Sequence, residues 1–224
     1  SSSSSAPSFV SLAKLLPDTA RVSMFADQLV VQLKSDWRGL PSGSLVSCPT
    51  AAVLRAAEAI NSSRSSGGGH VKAEEESLPL AVLFRPTEKE SLAGWTRTKN
   101  FLLVSTLDNV QSKVAFWRYD EKEATVGGAT AATTVGRFER AGEEAAAAIR
   151  GASLRAVDDD ESDLVFWTTN SYTRPSTLAL ADASQGPKGL ELRGSDGGDG
   201  GAEVLRALPE MYDAAGVGVS QGEA

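Results

Sequence analysis

Acyl transfer by a serine needs a base to take the hydroxyl proton and a carboxylate to orient that base. In this 224-residue sequence such chemistry would depend on a single histidine. His70 lies in Gly67-Gly68-Gly69-His70-Val71, between a serine-rich and a glutamate-rich stretch. Three consecutive glycines leave the backbone too free to hold an imidazole within hydrogen-bond reach of a nucleophile. One string fits the nucleophile-elbow pattern, Gly218-Val219-Ser220-Gln221-Gly222. An elbow needs a strand before it, a helix behind it, and then an acid and a histidine in chain order. Only Glu223 and Ala224 follow this string, and neither is a histidine. Ser220 reads as a chance match, and the sequence offers no catalytic residue.

Other candidates carry less. Asp158-Asp159-Asp160-Glu161-Ser162-Asp163 is dense in carboxylates but lacks the central glycine and trailing glutamate of a calcium loop. It reads as a solvated turn between strands. Trp95, Trp117 and Trp167 have the chemistry to line a ligand site, but aromatic residues on strands are more often core. Glu88 and Arg97 are candidates for a polar channel that the sequence alone does not position. Cys48 is the only cysteine, which excludes an internal disulfide and a cysteine-rich zinc site and suits a reducing, cytosolic setting. No cofactor-binding or metal-binding residue is assigned.

The elements that would position these residues are mostly strands. Met24 to Lys34 mixes apolar runs with polar residues. Asp36 to Gly43 is a turn signal, and Ser44 to Cys48 returns as a short strand. Leu80 to Phe84 is an apolar run ended by Pro86. Phe101 to Thr106, the turn former Asp108-Asn109, and Lys113 to Tyr119 predict a hairpin. Leu164 to Thr169 and Ser176 to Leu180 predict another pair across a loop containing Pro175. Helical signals are confined to Ala51 to Ile60 and the alanine-rich Glu143 to Ile149. Asn61 to Glu76 and Arg193 to Gly201 read as flexible loop insertions. A sandwich, a barrel and a propeller all satisfy this all-β pattern.

Composition narrows the class. Hydrophobic residues make up 41% and charged residues 23%, so a core is within reach and neither a disordered chain nor a membrane protein is expected. No apolar run is long enough to span a bilayer. Ser1 to Ser5 is low-complexity and not the start of a signal peptide, and the missing start methionine suggests that residue 1 is not a native N-terminus. A net charge of −7, with no basic patch interleaved with aromatics, argues against nucleic acid as a partner.

Four segments in order resemble the prolyl oligopeptidase family of propeller-capped serine peptidases. They are Asp36-Trp37 with Pro41 to Leu45; Leu83-Phe84-Arg85-Pro86-Thr87-Glu88 through Ser91-Leu92 and on to Ser112; Asp160-Glu161-Ser162-Asp163 through Tyr172 to Leu178; and Leu205 to Pro209 with Tyr212 to Gly216. The resemblance implies an all-β, partial β-propeller, about three to four blades of a seven-bladed one, carrying flexible loop insertions. It implies residues 1–20 as a low-complexity or partial blade strand, 21–216 as the partial propeller, and 217–224 as a linker toward an α/β-hydrolase domain absent from this sequence. It implies a non-catalytic role, gating and filtering short peptide substrates for a cytoplasmic serine-type peptidase, with no membrane partner. The hydrolase domain and the short peptides would be the partners. The alternative is a stand-alone β-propeller-like binding module without hydrolase activity. Cleavage after proline or after a basic residue is not distinguished, because relatives of both kinds share the propeller.

Overall fold

The computed structural model describes residues 11–12, 15–66, 78–109, 111–120, 136–145, 151–193, 201–214 and 216–218. They form an all-β structure of three four-stranded antiparallel sheets with few helices. In each sheet, strands adjacent in sequence are adjacent in space, so each is an up-and-down meander. The chain divides into two compact units, residues 1–85 with 122–136, and residues 86–121 with 137–224.

The first unit holds strands β1 (Arg21–Phe25), β2 (Gln28–Gln32), β3 (Leu45–Pro49) and β4 (Ala81–Phe84), hydrogen-bonded in that order. The apolar stretch expected as one strand from Met24 breaks at Ala26-Asp27. Ala26 adopts φ +48° there, and Phe25 pairs directly with Gln28. A two-residue turn with positive φ at Arg38 (+50°) and Gly39 (+73°) joins Trp37 to Leu40, each donating its N–H to the other's carbonyl at 2.9 Å. The Arg38 guanidinium lies 4.9 Å from the Trp37 ring centroid. Helix α1 (Thr50–Ser66) runs past Ile60, so Asn61 to Ser66, expected as loop, is helical. Its Val53, Ala56, Ala57 and Ile60 recur at helical spacing and pack against Leu29, Val31, Val46 and Cys48 of the sheet. The buried Gln28 amide donates to the Gly136 carbonyl at 2.6 Å, and the Gly136 N–H donates to the Asp27 carboxylate at 3.1 Å. These two bonds tie Gly136 to the β1–β2 turn.

The second unit holds two meanders. One is β5 (Glu90–Arg97), β6 (Phe101–Asp108), β7 (Gln111–Asp120) and β8 (Arg137–Ala145). The other is β9 (Gly151–Ala156), β10 (Leu164–Asn170), β11 (Thr177–Asp182) and β12 (Glu203–Ala207). The β6–β7 hairpin forms as expected, with Asn109 at φ +46° in its turn. Glu143 to Ala145, read from sequence as helix, is strand. β7 is a long template whose Lys113 to Ala115 pair with these three residues, and ladder pairing outweighs the helix propensity of alanine and glutamate. The two sheets share a core in which Phe101, Leu103, Val114 and Phe116 of the first meet Val165, Trp167, Ala179 and Ala181 of the second. A 3-10 stretch, Ala183–Leu190, follows β11 and adds Ala183 and Leu190 to that core. Among the described residues, no helix is long and apolar enough to cross a membrane.

Candidate functional site

The second unit carries three surface features that bear on function. The first is a polar junction between its two sheets. The short connection Thr98 to Asn100 joins β5 to β6, and the acidic turn Asp158 to Asp163 joins β9 to β10. Asp163 accepts from the Thr98 hydroxyl at 2.7 Å, from the Asn100 backbone N–H at 2.8 Å and from the Asn100 side-chain amide at 2.7 Å. The Lys99 N–H donates to the Ser162 carbonyl at 3.0 Å. Farther out, Arg97 donates through Nε to Asp159 at 2.6 Å and through Nη2 to Asp160 at 3.1 Å. The turn is shaped from within, because Asp158 accepts from the Asp160 and Glu161 N–H groups, both at 3.0 Å.

A recess of about 450 Å³ forms the second feature, between the β10–β11 loop and the segment after β12. Tyr172, Pro175, Leu208, Pro209, Met211 and Tyr212 supply most of its apolar wall. The Tyr212 hydroxyl donates to the Tyr172 carbonyl and ties the two segments together. Tyr172, Leu208, Met211 and Tyr212 are all exposed, Met211 to 88%. The third feature is the outer face of the sheet β9–β12. Burial alternates along β10 and β11, so Val165, Trp167, Ala179 and Ala181 face the core. Phe166 and Leu180, paired across the strands, and Leu178 beside them face the other way and are only half-buried.

These features account for some of the residues singled out in the sequence. The run Asp158 to Asp163 is a strand-connecting turn as expected. However, Asp159, Asp160 and Asp163 hold side chains from the neighbouring sheet, so it is not merely solvated. Among the described residues, no group of three or more histidine, cysteine, aspartate or glutamate side chains could hold a metal ion. Arg97 is the cation of the junction, and Glu88 is exposed in the connection between β4 and β5. Trp167 is core at 1% exposure. Trp95 on β5 and Trp117 on β7 are half-buried, with the Arg140 guanidinium 6.0 Å from the Trp117 ring centroid. Burial pushes the Cys48 thiol up from 9.0 to about 11, against a smaller opposing pull from Arg38. His70 and Ser220 lie outside the described residues. Thr98 and Asn100 were not singled out. Thr98-Lys99-Asn100 did carry a signal, polar residues just before the apolar run that opens β6.

No family model matches the chain. Over 212 residues it is 28% identical to the uncharacterized peptidase y4nA of Sinorhizobium fredii, covering 92% of this chain and 23% of that protein. Among solved structures it is similar to a post-proline cleaving enzyme from Rickettsia typhi, with a TM-score of 0.54 and 17% identity over 89% of this chain and 23% of the other. A weaker match is to one of two prolyl endopeptidases studied together, with a TM-score of 0.45, 15% identity, and coverage of 87% of this chain and 20% of the other. The three four-stranded antiparallel sheets resemble the propeller region of the post-proline cleaving enzyme. Over about nine-tenths of its length the chain is therefore similar to prolyl oligopeptidase-type peptidases, and it spans less than a quarter of theirs.

Proposed function

We propose that residues 21–216 are three consecutive blades of a β-propeller that covers the α/β-hydrolase domain of a prolyl oligopeptidase-type serine peptidase. Residues 217–224 would lead into that domain. In this reading the chain contributes no catalytic, cofactor-binding or metal-binding residue of its own. Its work is to admit short peptides, hold back folded proteins and keep bulk water from the acyl-transfer chemistry below. Bond cleavage belongs to the hydrolase domain.

The observation that carries this reading is the sheet β9–β12, which is buried on one face and presents Phe166, Leu178 and Leu180 half-buried on the other. A sandwich of two sheets would turn polar residues outward at those positions. A propeller sheet is apolar on both faces, because it packs between two neighbours. Strand β6 has that two-sided character, with Leu102 and Val104 as fully buried as Leu103. The exposed apolar recess beside Tyr172 and Tyr212 supports a covering domain, since it lies where the chain leaves its last strand toward residues 217–224.

The test compares the 224-residue chain with a polypeptide extended to the full reading frame of its gene, which in this reading carries the hydrolase domain. The chain should neither hydrolyse a proline-anilide peptide nor react with a fluorophosphonate probe. The longer polypeptide should do both, at a serine beyond residue 224. Labelling of Ser220 in the 224-residue chain would overturn the assignment of catalysis to another domain. A longer polypeptide without a reactive serine would favour a stand-alone binding module.

A further inference from the structure

We propose that the junction between the two sheets of the second unit is a two-part latch. An outer ion pair, Arg97 with Asp159 and Asp160, releases as ionic strength rises, while an inner node on Asp163 holds the sheets together throughout. This conformational device does not depend on the peptidase reading.

The two parts differ in the charge of their donors. At the inner node Thr98 is 1% exposed, Asp163 is half-buried and Asn100 is exposed, and the Asp163 carboxylate accepts three short hydrogen bonds, each from a neutral group of the β5–β6 connection. Salt screens the attraction between opposite charges, and this node contains no ion pair to screen. The node is also tied into its own sheet, because the Ala183 N–H donates to the Asp163 carbonyl at 2.9 Å. The outer part is an ion pair open to water, with side-chain exposures of 29% for Arg97, 45% for Asp159 and 74% for Asp160. Pairs of this kind are weak and are screened by salt.

Position gives the outer pair its leverage. Arg97 is the last residue of β5, and Asp159 and Asp160 lie at the tip of the turn that follows β9. The pair therefore joins the ends of the first strands of two successive sheets, 62 and 63 residues apart in sequence. Releasing it frees the tip of the acidic turn without breaking the Lys99 to Ser162 backbone bond or the Asp163 node. The opening this allows is local, between the first strands.

Hydrogen exchange read by mass spectrometry on the 224-residue chain tests the latch. Sodium chloride is raised from about 0.1 M to about 1 M, shortening the screening length from roughly 10 Å to roughly 3 Å. Residues 157–161 should exchange about twofold to fivefold faster at high salt. The amides of Lys99 and Asn100 should stay protected. The surface double variant D159N/D160N should exchange fast in 157–161 at low salt and lose the salt response, with Lys99 and Asn100 still protected. D163N should deprotect Lys99 and Asn100 at both salt concentrations. If D163N does not fold, the double variant decides alone. Exchange in 157–161 that ignores salt in the parent chain, or a salt response that survives in D159N/D160N, overturns the latch.

Discussion

Cys48 shows what burial does to a single group. It is 1% exposed on β3 beneath α1, and desolvation raises its thiol pKa to about 11. Below about pH 9 the thiol is protonated in both folded and unfolded chains, so its contribution to stability is fully present. Above that the unfolded chain ionises first, and the contribution is lost as pH rises through the folded value near 11. Denaturation midpoints should therefore fall more steeply between pH 9 and 11 for the parent chain than for C48A, and at pH 8 a thiol reagent should react only on unfolding. An equal fall in the two proteins would mean that Cys48 is not the group responsible. The same scale explains which side chains were legible. Trp167 was readable as core because an aromatic residue at the end of an apolar strand run, Leu164 to Phe166, is more often core than surface. The partners of Asp163 were not readable, because Thr98 and Asn100 lie 65 and 63 residues away and no local spacing connects them.

At the scale of elements, the 3-10 stretch Ala183–Leu190 is held by close approaches that only glycine permits. A Cβ on Gly189 would stand 2.1 Å from the Asp182 carbonyl oxygen, and one on Gly201 would stand 2.6 Å from the Lys188 carbonyl oxygen. Both obstacles are backbone, so neither can rotate aside. G189A should lower stability by about 1–3 kcal/mol, seen as a lower melting temperature. An unchanged melting temperature would show that the stretch is free to shift. The stretch also brings Pro187 against β8, where a Cβ on Gly142 would lie 3.1 Å from the proline ring. Hairpins with a turn former between two apolar runs, such as β6–β7, were legible because the local sequence contains both strands and the turn. β8 was not, because its partner β7 is reached only after residues 121–136, and its own composition favours a helix.

At the scale of the whole chain, the half-buried face of Phe166, Leu178 and Leu180 and the exposed edge strand β12 leave apolar surface and unpaired backbone groups open to solvent. If these belong between neighbouring blades, the 224-residue chain should bind a hydrophobic dye and self-associate in sedimentation. A polypeptide extended by the proposed neighbouring blades and hydrolase domain should be monomeric and dye-silent. A dye-silent, monodisperse 224-residue monomer that melts cooperatively would sink the partial-propeller reading.

What the sequence determined by itself was the all-β class and the hairpins whose strands and turn are contiguous. Period-two apolar runs ended by Pro, Gly, Asn and Asp specify short antiparallel strands wherever they occur, since that preference is set by neighbours within a few residues. The four ordered segments from Asp36-Trp37 to Gly216 carried the resemblance to propeller-capped peptidases. Tertiary structure decided how strands grouped into sheets of four, which face of each was covered, and which distant donors met the Asp163 carboxylate. It also converted Glu143 to Ala145 from helix formers into a strand. Those outcomes depend on contacts between residues tens of positions apart, where packing and ladder hydrogen bonds outweigh the few tenths of a kcal/mol per residue that local propensity supplies.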